Sequence, residues 1–126
     1  MRKIVISGSM SLLDKMKDMA AQLADMGYAT VLPEAFDGDI PPKAELSMNY
    51  FREIAKDDTY AVLIVNDAKQ GIANYIGASA FAEAAIAFYF GKAIFVLHDL
   101  YDPYKDELSA WGTIPLYGKL RGIYLG

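Results

Sequence analysis

Residues 61–97 read AVLIVNDAKQGIANYIGASAFAEAAIAFYFGKAIFVL, and this stretch decides the fold. Ala61 to Val65 form an unbroken apolar run, the pattern of a parallel strand covered on both faces. Asn66 and Asp67 end it. A small-residue segment from about Tyr75 or Ile76 to Phe90 has helical length, Gly91 stops it, and Ala93 to Leu97 make a second apolar run. Strand, helix, strand is the parallel crossover unit.

The same alternation extends outward in both directions. Upstream, Ile4 to Ile6 run into Ser7-Gly8-Ser9, after which Leu12, Met16, Met19, Leu23 and Met26 recur at helical spacing as far as Gly27. Ser11 with Asp14 resembles a capping box. Tyr28 to Leu32 reads as a strand closed by Pro33, residues 33–43 as the longest loop, and Ala44 to Asp57 as a helix presenting Met48, Phe51 and Ile54 to Ala55 on one face. Beyond His98 come a tyrosine- and acid-rich loop, a short helix from Lys105 to Ala110 and a strand from Thr113 to Leu116. The predicted fold is α/β: a doubly wound, flavodoxin-like or Rossmann-like parallel sheet of about five strands flanked by helices, in one domain over residues 1–126. In such sheets ligands bind beyond the carboxyl ends of the strands, where the winding reverses. That edge carries Ser7-Gly8-Ser9, Asn66-Asp67 and the start of the helix bearing Glu83.

Composition narrows the function classes. With 54% hydrophobic and 22% charged residues the chain is more apolar than a typical domain, which suits a sheet covered twice or a surface hidden in a homodimer or larger homo-oligomer. The lack of cysteine excludes disulfides and thiol catalysis, and a single histidine excludes multi-histidine metal sites. A net charge of −4, with 12 scattered basic residues, offers no stripe for a nucleic acid polymer. The longest uncharged run, Gly71 to Ala82, is too short to span a membrane, and the strand pattern next to Met1 predicts a cytoplasmic protein without a signal peptide.

Glu83 is the one group titrating near or below neutrality between Gly71 and Gly91. An unpaired buried carboxylate costs several kcal/mol or takes up a proton, so its presence among Ile76, Ala80 and Ala87 on one helical face points to a reactive group facing a pocket. Ser79, one turn earlier, is the nearest hydroxyl along the helix. The alternative is a glutamate that reaches solvent or caps a neighbouring loop. Ser7-Gly8-Ser9 suits a phosphate or a sugar hydroxyl but has neither the spacing of a dinucleotide turn nor that of a triphosphate loop. Asn66 and Asp67 stand where a ligand would lie, with turn formation as the alternative, and Asn74 is placed to cap the Glu83 helix. His98 followed by Asp99 suggests either a general base or a loop histidine with a structural hydrogen bond. Tyr101, Tyr104, Tyr117 and Tyr124 supply flat faces for a nucleobase or a subunit interface.

The segment SAFAEAAIAFYFGKAIFVL, Ser79 to Leu97, resembles the signature of the nucleoside 2-deoxyribosyltransferase superfamily, in which the catalytic glutamate precedes the lysine by nine residues, as Glu83 precedes Lys92. Asn74-Tyr-Ile-Gly77, with a strand ending in Asn66, resembles an uncharacterised microbial branch of it. Leu108-Ser-Ala-Trp-Gly112 is similar to the segment that dimers of that family lend to the neighbouring active site, and Ser109 carries that role over. The resemblance implies cleavage or exchange of the N-glycosidic bond of a (deoxy)nucleoside or its 5′-monophosphate, with Glu83 attacking C1′ and no metal or organic cofactor. A carboxylate suits an oxocarbenium-like carbon because its attack neutralises developing positive charge. Phe51 and Arg52 stand where the family places an aspartate, which leaves Glu53 or Asp67 to handle the proton of the leaving base, and Met10 and Ser11 stand where a nucleotide-hydrolysing branch has arginine. The substrate contacts expected on this reading are Ser7, Gly8, Ser9, Asn66, Asn74, Gly77, Ser79 and Ser109. A non-catalytic protein that senses or sequesters a nucleotide-like ligand is the alternative, and a flavodoxin-type electron carrier a third reading.

Overall fold

The computed structural model describes residues 1–123, so Tyr124 lies outside the described residues. Five strands, β1 (Lys3–Gly8), β2 (Ala29–Val31), β3 (Thr59–Val65), β4 (Ala93–Val96) and β5 (Ile114–Pro115), form one sheet in the order β2-β1-β3-β4-β5. Every pairing is parallel, as the apolar runs require. Four helices flank it: α1 (Leu13–Asp25), α2 (Lys43–Ala55), α3 (Ala78–Tyr89) and α4 (Lys105–Ala110). The fold is a doubly wound α/β fold with flavodoxin-like strand order.

Alternation along the strands builds two cores. Ile4, Ile6, Leu63, Val65 and Phe95 meet Met16, Met19 and Leu23 of α1, together with Leu116, Leu120 and Ile123. On the opposite face Val5, Val62, Ile64, Ile94 and Val96 meet Ile54 of α2, Ala80, Ala84 and Ala87 of α3, and Leu108 of α4. The chain therefore leaves β1 on one face and returns to β3 on the other, which puts the winding reversal between β1 and β3. No helix among the described residues is long and apolar enough to cross a membrane.

Several boundaries differ from the sequence expectation, each for a local reason. A 3-10 turn over Met10–Leu12 precedes α1, and Ser11 lies inside it, its Oγ 3.0 Å from that of Ser9, so no capping box forms. α2 turns Tyr50 and Ile54 inward and leaves Met48 about half exposed, because the Tyr50 hydroxyl donates to the Ile6 carbonyl. It also lies 3.4 Å from the Val31 carbonyl. β2 ends at Val31, and Tyr50 supplies the donor that the short strand no longer brings to β1. α3 begins at Ala78, later than the apolar pattern suggested, because Gly77 before it is extended (φ −77°, ψ 171°). Further upstream, Gln70 and Gly71 both adopt positive φ (50° and 79°) in a two-residue turn. Lys69 and Ile72 close that turn by exchanging backbone hydrogen bonds of 3.0 and 2.9 Å. β5 keeps only two residues of the predicted four.

Candidate active site

At the end of β1 the fully buried Ser7 hydroxyl donates to Glu83 Oε1 on α3. The approach is possible because Ala80, Ala84 and Ala87 let α3 lie close on the sheet. Glu83 is partly buried, and burial pushes its carboxyl up to about 7 against the opposing pull of the Ser7 hydrogen bond. Tyr50 closes the third side from α2. Burial first, then the negative charges of Glu83 and Glu53, hold its phenol well above the ordinary tyrosine range, so it stays protonated and keeps its bond to Ile6.

Next to this cluster, over the β1/β3 switch point, lies a pocket of about 30 Å³. Its floor is Gly8, Ile64 and Val65, one wall is Ile76, Gly77 and Ala80, and its rim carries Ser9, Ser11, Asp67, Lys69 and Tyr75. Glycine is needed in the floor: a Cβ on Gly8 would sit 3.0 Å from the Val65 carbonyl oxygen. The lining stops at Ala80, one helical turn before Glu83, so the carboxylate stands beside this pocket and is not part of its wall. A volume of that size holds water, whereas sites for drug-sized ligands span roughly 300–1,000 Å³.

The adjacent strand ends are tied by Asn66, which is fully buried. Its Nδ2 donates to Asp99 O at 2.8 Å and lies 3.4 Å from Asn74 O, while Oδ1 accepts from His98 N at 3.0 Å. Asn66 thus acts as a clamp between the loops after β3 and β4. Asn74 holds positive φ (56°), four residues before α3, with its Oδ1 3.4 Å from Asp99 N, so it braces the loop and does not cap the helix. His98 Nε2 lies 2.5 Å from Asp67 Oδ1, and Lys15 Nζ lies 3.6 Å from Asp67 Oδ2.

Of the residues singled out from sequence, the fold gathers Ser7, Gly8, Ser9, Asn66, Asp67, Asn74, Gly77 and Glu83 at the carboxyl edge. Ser79 and Ser109 do not join them within one subunit: both are exposed and neither lines the pocket. The hydroxyl that meets Glu83 is Ser7, brought from 76 residues away, and not Ser79. Glu53 is anchored elsewhere. It pairs with Lys3 at 2.7 Å and Lys56 at 2.8 Å beside the first residue of β1, and those two cations hold its carboxyl below the usual range. Lys3 and Ser7 lie four residues apart on β1, about 13 Å along an extended strand, so Glu53 sits at the opposite end of the sheet. Tyr50 was missed by sequence reasoning. Its one signal was its place four residues before Ile54, on the inward stripe of α2. No protein-family model, curated protein or solved structure matches this chain.

Proposed function

We propose that the protein cleaves or exchanges the N-glycosidic bond of a small nucleoside or nucleoside 5′-monophosphate, with Glu83 as the nucleophile. The observation that carries this is the Ser7–Glu83 contact: a carboxylate in small, dry surroundings, steered by one buried hydroxyl, at the switch point where such sheets take ligands. A carboxyl held up to about 7 is ionised in a useful fraction near neutrality and remains basic enough to bond a carbocation-like carbon. Its attack on C1′ forms a glycosyl ester as the C1′–N bond breaks, and water or a second base then releases the sugar.

The pocket over the switch point is too small for a nucleoside, so on this reading the rest of the site comes from a second copy of the chain. α3 supports that reading. A helix with apolar residues on all sides belongs in a buried position, yet Phe88, Tyr89 and Phe90 at its end are 50%, 79% and 46% exposed. Trp111 stacks between Phe81 and Phe88 beside them, and the exposed Ser109 is carried on the same short helix, as a residue lent to a neighbour would be.

Incubation with a panel of deoxynucleosides and ribonucleosides and their 5′-monophosphates, with and without an acceptor base, tests the proposal. Free base from the wild type and none from Glu83→Ala is the expected result; equal release from both rejects Glu83 as nucleophile. Ligand binding without turnover is the second reading. It is favoured by the engagement of Glu53 and Asp67 in ion pairs, which leaves neither as a free acid beside Glu83. Thermal stabilisation by a nucleotide with no base released selects it.

A further inference from the structure

The reaction proposed above needs a proton for the departing base, and the two carboxylates that sequence offered for it are both engaged. We infer that His98 is the acid that protonates the leaving base, with Asp67 as the residue that positions its ring. This rests on the N-glycosidic reading and names the second half of its chemistry.

Four observations converge on the ring. Asp67 lines the pocket over the switch point, as does Ala80, one helical turn before Glu83, and His98 Nε2 is 2.5 Å from Asp67 Oδ1. The bond consumes Nε2 and leaves Nδ1 without a hydrogen-bond partner among the described residues, so one edge of the imidazole is anchored and the other is free for a ligand. The backbone of His98 is held on both sides: its N–H donates to the buried Asn66 side chain at 3.0 Å, and its carbonyl accepts from Tyr117 N at 3.1 Å. Tyr117 adopts positive φ (52°) to make that contact. The charged groups around the pair are Lys15, 3.6 Å from the second oxygen of Asp67, and Lys69 on the pocket rim. Lys15 shares the carboxylate from the side away from the ring, which fixes the orientation of Asp67. A carboxylate that accepts from one imidazole nitrogen sets the tautomer and holds the ring in one orientation, as the positioning of a general acid requires.

The step balances without a cofactor. As Glu83 bonds C1′ and the C1′–N electron pair retreats onto the base, the imidazolium Nδ1–H passes its proton to a base nitrogen and the ring becomes neutral with Nε2–H still on Asp67. In the hydrolytic half, neutral Nδ1 takes a proton from the water whose oxygen attacks C1′. The ester C–O bond breaks, and Glu83 leaves as carboxylate.

Two substrates separate this role from a structural one. Guanine leaving 2′-deoxyguanosine needs a proton, whereas the base of its N7-methylated cation departs neutral without one. His98→Gln is expected to lower kcat/KM for 2′-deoxyguanosine by about 100-fold or more and to change that of the methylated substrate less than about threefold. Asp67→Asn follows the same pattern more weakly, while Glu83→Gln abolishes both. Equal losses on the two substrates in His98→Gln overturn the acid role and leave the nucleophile standing; release from neither substrate by the wild type overturns the reading and the inference together. A measurement independent of turnover uses the fact that His98 is the only histidine. Nitrogen-detected NMR of the wild type should show the neutral ring protonated at Nε2, with a mixture of tautomers in Asp67→Asn. A wild-type ring protonated at Nδ1 when neutral contradicts the geometry.

Discussion

Replacing Glu83 by glutamine should make the protein more stable at alkaline pH and leave it nearly unchanged in mild acid. The native carboxyl sits at about 7 where an ordinary glutamate sits near 4.5. A carboxyl whose folded-state value is raised binds its proton more tightly in the native state than in the unfolded one, so stability falls as pH climbs from about 4.5 to about 7 and levels off above. At about 1.4 kcal/mol per pH unit, the accumulated loss is about 3 kcal/mol. Glutamine keeps the shape and the oxygen that accepts from Ser7 but cannot ionise, so it escapes the loss. In urea titrations with a slope of about 1.5 kcal/mol/M, Glu83→Gln should raise the midpoint by about 1–2 M at pH 8.5 and by a small fraction of that at pH 5. The same shift at both values, or a variant less stable at pH 8.5, would refute the claim that burial holds this carboxyl up. A gain in stability bought by loss of turnover is the pattern of a residue kept for chemistry.

Three further outcomes follow from the same contacts. Ser7→Ala removes the one hydrogen bond that pulls the Glu83 carboxyl down, so it should cost about 1–3 kcal/mol at pH 8.5 and move the pH at which stability levels off upward, read from midpoints across a pH series. Tyr50→Phe leaves the Ile6 and Val31 carbonyls without their hydroxyl donor and should cost about 1–2 kcal/mol in the same assay, with the pH profile unmoved. Glu53→Gln should destabilise by about 1–2 kcal/mol at pH 7 by leaving buried Lys3 with only Asp58. Because the Glu53 carboxyl is held low, its contribution is complete above the ordinary carboxylate range and lost as pH falls through its folded value, so the deficit should shrink as the pH is lowered below that range. Base release by this variant should match the wild type.

The fold was legible because each strand announces itself locally. Ala61 to Val65 and Ala93 to Leu97 are apolar on both faces, and a single helix separates them, which leaves a parallel sheet as the economical solution. Glu83 was legible for the opposite reason, as a charge where its helix has no other. Its partner was not. Helical spacing nominates Ser79, one turn away on the same helix, but that hydroxyl faces outward, and the contact with Ser7 exists only once β1 lies under α3. Glu53 illustrates the same limit: sequence nominates it only as the acid nearest Phe51 and Arg52 on α2, while Lys3, 50 residues earlier, decides what it does. The edge holding Asp67 and His98 was readable from strand ends. That the two side chains meet depends on β3 and β4 being neighbours with Asn66 fixing their loops, which is a property of the sheet order.

The most direct measurement of the central claim is covalent. A 2-fluorinated nucleoside substrate slows both steps at C1′ and, with a reactive leaving base, lets the glycosyl ester accumulate. Intact-protein mass spectrometry should then show one added fluorosugar per chain, and peptide mapping should place it on Glu83. Absence of any adduct while Glu83→Ala continues to release base, or an adduct on another carboxylate, would contradict the account.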